Sequence, residues 1–151
     1  MKKNQKLVEQ VFTPSTKFEE HDRTLSPKEI VEEGLMSKEM ITEVERVAKE
    51  IFKRGQEIAL SRGLILVDTK YEFGLDDQGK LMLIDEIHTP DSSRYWKAGS
   101  YQERIDKGEE PEYFDKEFLR VWFKDNCDPY KDEVLPEAPK ELIAELSRRY
   151  I

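Results

Sequence analysis

Two stretches, LILVDTKYEFG at residues 64–74 and LMLIDEIHTPDSSRYW at residues 81–96, decide the fold. The first begins with an apolar run and then alternates polar and apolar side chains, which is typical of a strand with one buried face. The second begins with another apolar run, and residues 76–79 between them, DDQG, form a polar turn sequence. We therefore predict that residues 64–73 and 81–85 pair as the two strands of a β-hairpin.

Helix signals precede this hairpin. Ser26 can cap a helix, and Glu29 completes a capping box. After Ser37, apolar residues recur every three or four positions up to about Arg62, which predicts a long helix with one buried stripe. The stripe comprises Met40, Ile41, Val44, Val47, Ala48, Ile51, Ile58 and Ala59. Gly63 is expected to end this helix.

The rest of the chain predicts a loop and two more helices. Residues 89–112 contain two prolines and two glycines, so we expect a long loop there, with room for short turns of helix. Asp115 is expected to cap a third helix, and Pro139 to begin a last one. The order of elements predicts an α+β fold in which an antiparallel sheet with a central β-hairpin is covered by helices. A length of 151 residues fits a single domain, 1–151.

The composition narrows the classes of partner. The chain has 25 Lys and Arg residues against 33 Asp and Glu, a formal net charge of −8, which argues against a nucleic-acid groove. No apolar run in the sequence approaches the ~20 residues needed to cross a membrane. The single cysteine, Cys127, cannot form an internal disulfide, and with two histidines the chain offers no Cys/His zinc site. We therefore expect a reducing, cytoplasmic location.

Charged side chains follow the apolar start of the first stretch. Because side chains alternate along a strand, Asp68, Lys70 and Glu72 are expected to share one face, with Asp85 across the hairpin. Converging carboxylates repel unless a cation neutralises them, and their hard oxygen atoms suit Mg²⁺. The alternatives are a solvated outer face for the strand and a simple strand end for Asp85.

The hexapeptide TPDSSR, residues 89–94, is a second candidate for binding. Its hydroxyls, the backbone N–H groups of a tight turn and the guanidinium of Arg94 could hold a phosphate. The alternative is an ordinary Asp/Ser turn that caps the following segment.

Together, the two central stretches resemble the SAICAR synthetase family, in full phosphoribosylaminoimidazole-succinocarboxamide synthase. FTPSTK at residues 12–17 followed by His21-Asp22, and FDKEFLR at residues 114–120, fit the same family. The resemblance covers essentially the whole chain and implies an ATP-dependent carbon–nitrogen ligase of purine biosynthesis. In that reaction ATP activates the carboxylate of carboxyaminoimidazole ribonucleotide, and the amine of L-aspartate displaces phosphate to form an amide.

The resemblance also implies roles for the candidate residues on the ATP side. Glu72 and Asp85 would bind Mg²⁺ and the phosphates of ATP. Lys70 would neutralise charge near the transferred phosphoryl group, so Lys70 and Asp85 are the expected catalytic residues. Lys17 would contact the ATP phosphates from the loop before the first helix.

On the substrate side, the resemblance implies that Asp68 and Asp91 bind the imidazole nucleotide. Ser93 and Arg94 would bind its ribose phosphate. Arg94 suits that role because a guanidinium can bind phosphate through two parallel hydrogen bonds.

One difference from the family determines which partners we expect. Family members begin with a β-rich lobe that carries a glycine-rich phosphate loop, whereas this chain matches from almost its first residue. We therefore expect the C-terminal ATP- and substrate-binding part of the enzyme, inactive alone and associating with a separate N-terminal lobe polypeptide or with itself. The alternatives are a non-enzymatic remnant, a binding domain, and an acidic scaffold domain.

Overall fold

The computed structural model describes residues 3–17 and 22–150, so His21 lies outside the described residues. The elements in this part are α1 (Pro27–Glu32), α2 (Lys38–Ser61), β1 (Leu64–Thr69), β2 (Glu72–Leu75), β3 (Leu81–Ile84), β4 (Ser93–Lys97), α3 (Ala98–Lys107), α4 (Glu117–Asn126) and α5 (Lys140–Tyr150). Among the described residues, no helix is long and apolar enough to cross a membrane.

The chain divides into two compact units. Residues 3–5, 55–72 and 85–150 form the first unit, and the described residues of 6–54 together with 73–84 form the second. The first unit contains β1, β4, α3, α4 and α5. The second contains α1, β3 and most of β2, and α2 passes from the second unit into the first at Gly55.

The core of the second unit lies where its hairpin meets its helices. The buried residues come from α1, α2 and the turn before α1: Leu25, Ile30, Ile41 and Val44. Phe73 of β2 and Leu81 of β3 pack against this cluster. The hairpin of β2 and β3 is therefore covered by helices on one face, as the α+β prediction requires.

Helices α1 and α2 begin and end at the predicted signals. The backbone N–H of Glu29 donates to the Ser26 hydroxyl at 3.2 Å, and the backbone N–H of Ser26 donates to the Glu29 carboxylate at 2.7 Å, which completes the capping box. Gly63 follows α2 with a φ of +75°, a conformation that favours glycine. Ile58 contradicts the predicted stripe because it is 50% exposed. Its neighbour Ala59 takes the inward position, one residue or about 100° further round the helix.

The predicted pairing of residues 64–73 with 81–85 is wrong in its first strand. This stretch divides at Lys70 into β1, which pairs antiparallel with β4, and β2, which forms the hairpin with β3. The pairing of β1 also shifts register between Leu66 and Asp68, an irregularity that changes which face the following residues occupy. Asp68 and Glu72 therefore belong to different sheets and do not share a strand face.

The predicted loop at residues 89–112 is also wrong, because it contains β4 and α3. Its two glycines misled the prediction. Gly99 lies inside α3, and Gly108 ends that helix with a φ of +74°. Helix α3 packs against β1 and β4, so this segment completes the first unit.

The capping box gives a stability prediction. Ser26→Ala removes the hydroxyl that accepts the Glu29 N–H, so we expect the free energy of unfolding to fall by about 1 kcal/mol. Chemical denaturation would measure this. The matched control is Ser147→Ala, at an exposed position within α5, which should be neutral or slightly stabilising because alanine favours helix. Equal effects at the two positions would contradict a capping role.

Candidate functional site

A polar cleft of about 490 Å³ lies in the first unit. Its walls come from the end of β1, the turn before β4 and the beginning of α4. Five residues with predicted binding roles line it: Asp68, Lys70, Asp91, Ser93 and Arg94. Residues 115–117 and Arg120 complete the charged lining, which has four acidic and four basic side chains. This cleft can therefore hold both signs of charge on a small ligand.

One ion pair in the cleft joins β1 to β4 through two hydrogen bonds. Arg94 Nε donates to Asp68 Oδ1 at 2.9 Å, and a second guanidinium nitrogen donates to Asp68 Oδ2. The hydrogen bonds to Asp68 raise the pKa of Arg94. Both side chains are about half exposed, at 57% and 47%, so a ligand can reach the guanidinium.

The turn before β4 differs from the predicted phosphate cradle. The Asp91 and Ser92 backbone N–H groups donate to the Thr89 hydroxyl, at 3.3 and 3.2 Å, and that of Ser93 donates to the Thr89 carbonyl at 3.0 Å. Because these N–H groups already donate hydrogen bonds within the turn, a phosphate here would be bound by side chains. The buried Ser93 hydroxyl shares a hydrogen bond with Thr69 at 2.8 Å.

Asp115 is a residue whose role sequence reasoning missed. It was expected only to cap a helix, and its Oδ1 does accept the backbone N–H of Glu117 at 2.7 Å. Its Oδ2 also accepts the backbone N–H of Tyr95 in β4, at 2.5 Å. The residue is 1% exposed, and burial raises the pKa of its carboxyl. Asp115 therefore joins the strand wall of the cleft to its helix wall.

Two cations from the FDKEFLR sequence also line the cleft without having been predicted. Lys116 hydrogen-bonds to Asp91 and so lowers the pKa of that carboxyl. Arg120 follows four residues later on α4, and its guanidinium lies 3.5 Å from Glu117. The only sequence signal for these cations was the family resemblance of this segment.

The predicted metal ligands lie outside the cleft lining. Glu72 begins β2 and Asp85 directly follows β3, so both carboxylates stand at the open end of the hairpin. Asp85 has a φ of +67°, in the left-handed region. In the part of the chain that the structure describes, no three His, Cys, Asp or Glu side chains form a group that could hold a metal ion.

The convergence of Asp68, Glu72 and Asp85 is therefore not observed, because the strand divides and Asp68 pairs with Arg94. The remaining pair still fits one type of magnesium site. Mg²⁺ commonly binds one or two carboxylates and takes its other ligands from water and substrate phosphates. Glu72 and Asp85 supply that donor chemistry, whereas a site made only of protein ligands does not fit. Lys17 lies exposed in the second unit, and its role stays a prediction.

Comparison with known proteins identifies the family. Residues 1–137 match the protein-family model described as SAICAR synthetase. Because the match covers most of its length, the chain belongs to the SAICAR synthetase family.

Curated relatives show how much of such a protein the chain represents. It is 61% identical over 151 residues to a phosphoribosylaminoimidazole-succinocarboxamide synthase of Legionella pneumophila (strain Paris), covering 100% of this chain and 48% of the relative. A chloroplastic synthase of Arabidopsis thaliana is 60% identical over 149 residues, which are 99% of this chain and 36% of that protein. The chain thus spans about half the length, or less, of these relatives.

Solved structures support the same fold. SAICAR-synthase from Saccharomyces cerevisiae, in complex with SAICAR, superposes with a TM-score of 0.78 at 34% identity, covering 99% of this chain and 46% of that one. A type-2 SAICAR synthetase in complex with ADP gives a TM-score of 0.64 at 26% identity, covering 94% and 52%. The α+β prediction is confirmed, and the chain matches the C-terminal part of this fold.

The buried carboxylate gives a prediction about pH. At neutral pH, Asp115→Asn should lower the free energy of unfolding by about 2 kcal/mol, because one backbone N–H would then face an amide N–H. Burial raises the Asp115 pKa, so the native protein takes up a proton at a higher pH than the unfolded chain. As pH falls through the raised pKa towards the ordinary value of 3.8, protonation of Asp115 therefore increases the free energy of unfolding of the wild-type protein. Asparagine does not titrate, so the variant lacks this increase.

Denaturation of both proteins across that pH range would measure the difference. The deficit of Asp115→Asn should grow as pH falls, and a deficit that shrinks would contradict the assignment. Asp125→Asn, at an exposed position on α4, is the matched control and should show little deficit at any pH.

Proposed function

We propose that this chain supplies the C-terminal part of the ligase that joins L-aspartate to carboxyaminoimidazole ribonucleotide with hydrolysis of ATP. The observation that carries the proposal is the cleft, which brings together five residues expected to bind substrate or phosphate. They come from two separate segments of the sequence, which the pairing of β1 with β4 brings to one cleft. Family membership supports the same reaction class.

In this proposal the cleft binds the imidazole nucleotide. Arg94 and Ser93 bind the ribose phosphate, because a guanidinium and a hydroxyl are suited to phosphate oxygens. Asp68 and Asp91 accept hydrogen bonds from the nucleotide once their partners, Arg94 and Lys116, turn towards the ligand. That a solved neighbour is described as complexed with SAICAR supports a nucleotide site in this fold.

In this proposal, ATP binds at the open end of the hairpin. Glu72 and Asp85 would hold Mg²⁺, which when bound would neutralise the phosphates of ATP and orient them for transfer. Lys70 lines the cleft and lies in the sequence between Asp68 and Glu72, and its ammonium would neutralise charge on the transferred phosphoryl group. That another neighbour is described as complexed with ADP supports a nucleotide phosphate site in this fold.

The proposal includes a companion polypeptide. The chain spans 48% of the Legionella relative, so in this proposal the other half of such a protein completes the site. An apolar surface is available on the face of the hairpin away from the helices, because Met82 and Ile84, which alternate with the core-facing Leu81, are 45% and 41% exposed. Exposed apolar patches commonly mark interaction surfaces. Self-association is the competing outcome.

The deciding experiment measures SAICAR formation from ATP, L-aspartate and the carboxylated nucleotide. The chain would be assayed alone and with a polypeptide corresponding to the remaining half of the Legionella relative. We expect no product from the chain alone and product from the mixture, because alignment of ATP with the carboxylate needs both halves of the site. Product from the chain alone would disprove the need for a companion. No product in either case would refute the ligase assignment.

A substitution at Arg94 tests the phosphate site. Arg94→Lys keeps the charge but loses the two parallel hydrogen bonds, so the KM for the nucleotide in the active mixture should rise by roughly 10- to 100-fold. Arg148→Lys is the control, because that side chain is 73% exposed and lies 3.4 Å from Glu145 on the same helix. A similar change in both variants would argue against a specific role for Arg94.

A substitution at Asp85 tests the metal site. Asp85→Asn removes one anionic ligand but keeps the shape and the tolerance of a positive φ, so the fold should persist. We expect the rate to fall by at least roughly 10-fold and the Mg²⁺ requirement to rise. Asp77→Asn, at the exposed hairpin turn, should leave both unchanged. A wild-type rate and Mg²⁺ dependence in Asp85→Asn would show that Asp85 is not a metal ligand.

A further inference from the structure

His88 has a backbone conformation that is uncommon for a residue other than glycine. Its φ is +57°, and that of Asp85, three residues earlier, is +67°. Left-handed conformations are unfavourable for residues with a Cβ and persist where surrounding contacts hold them. His88 lies between Asp85 and the turn that begins at Thr89. Contacts that hold His88 therefore also fix how these two flanking features are arranged.

The His88 ring occupies a notch in helix α2. A Cβ placed on Gly55 would lie 2.2 Å from His88 Cε1, 2.6 Å from its Nδ1 and 2.8 Å from Leu66 Cδ2. Such distances are not possible between real atoms, so only glycine leaves space for the imidazole. Glycine is unfavourable inside a helix, and this contact supplies a physical reason for its presence at a buried position.

Two tyrosines complete the surroundings of His88. The Tyr71 hydroxyl hydrogen-bonds to His88 Nε2, and the two ring centroids are 5.5 Å apart. The Tyr95 hydroxyl donates to the His88 backbone carbonyl at 2.5 Å. Ring and backbone are thus held separately, by residues from the β1–β2 connection and from β4.

We propose that His88 is a positioning residue, held by the Gly55 notch and the two tyrosines, which fixes Asp85 and the turn of residues 89–93 relative to each other. This arrangement matters because the turn leads into Ser93 and Arg94, while Asp85 belongs to the ATP side. Its catalytic consequence rests on the proposed function, since alignment of two ligands tolerates little displacement. Its effect on the conformation of the turn does not depend on the proposed function.

Hydrogen exchange of two backbone amides reports on the turn directly. The Lys70 N–H donates to the Ser92 carbonyl at 3.1 Å, and the Ser93 N–H donates to the Thr89 carbonyl at 3.0 Å. Gly55→Ala, which fills the notch, is expected to lower protection of both amides at least 10-fold. Gly99→Ala is the matched control, because a Cβ there meets no described atom within 4 Å inside α3. It should leave protection unchanged.

A double-mutant cycle identifies His88 as the cause. His88→Gly removes the ring while suiting the positive φ, and it should lower protection of the same two amides about as much as Gly55→Ala. In the His88→Gly background, Gly55→Ala should then have little further effect, because its methyl group no longer meets the imidazole. A full effect of Gly55→Ala in that background, or unchanged protection in the single variants, would overturn the proposal.

Turnover in the mixture with the companion polypeptide tests the catalytic consequence. His88→Gly should lower kcat at least 10-fold while the KM for ATP changes less than 3-fold, with exchange in helix α3 unchanged. Wild-type kcat despite lost protection at Lys70 and Ser93 would overturn the positioning role. If the wild-type mixture forms no product, the ligase assignment fails, and the exchange cycle alone decides whether His88 fixes the loop.

Discussion

The cleft depends on the buried carboxylate of Asp115. One of its oxygens accepts the N–H of Tyr95 in β4, and the other accepts the N–H of Glu117 at the start of α4. A buried carboxylate is costly unless its oxygens are hydrogen-bonded, and here two backbone donors meet that requirement. The same two bonds set the spacing between strand and helix, so Lys116 can contact Asp91 across the cleft.

A second layer of support comes from the last helix. Arg149 is only 12% exposed, and its guanidinium lies 3.9 Å from the centre of the Phe118 ring and donates to the Tyr113 carbonyl at 2.9 Å. These contacts hold the segment of residues 113–118, which contains Asp115. Because cation–π contacts strengthen when the cation is desolvated, this buried guanidinium is well placed to stabilise the segment. Helix α5 therefore contributes to the cleft without lining it.

Local signals predicted much of the fold, whereas pairing over long distances was not predictable. The capping box of Ser26 and Glu29 and the stop at Gly63 involve neighbours in sequence, so their chemistry is legible in the sequence. The break of the strand at Lys70 cannot be read from the sequence. An alternating stretch has the same pattern whether it pairs with one partner strand or with two. β4 was hidden in a segment whose glycines suggested a loop.

In the candidate site, too, local features were predictable from the sequence and long-range contacts were not. Asp68 and Arg94 were predicted separately, and only the register of β1 with β4 makes them a pair. Asp115 looked like an ordinary cap because its second partner, Tyr95, lies 20 residues away in sequence. No spacing rule signals such a contact. The family resemblance supplied roles for residues whose positions the residue pattern alone did not bring together.

The pairs within the cleft would also explain how an acidic chain holds an anion in the proposed function. Its net charge is −8, yet Arg94 and Lys116 each stand against a carboxylate, Asp68 or Asp91, inside the cleft. Exposed single-contact pairs are worth about 0–1 kcal/mol. For Arg94, a phosphate offers the same two parallel hydrogen bonds that Asp68 provides, so in the proposed function the exchange of one anion for the other would cost little. The carboxylates meanwhile keep the cations oriented and become free to accept hydrogen bonds when the ligand arrives. In the proposed reaction, each pair would thus supply one group for phosphate and one for the nucleotide.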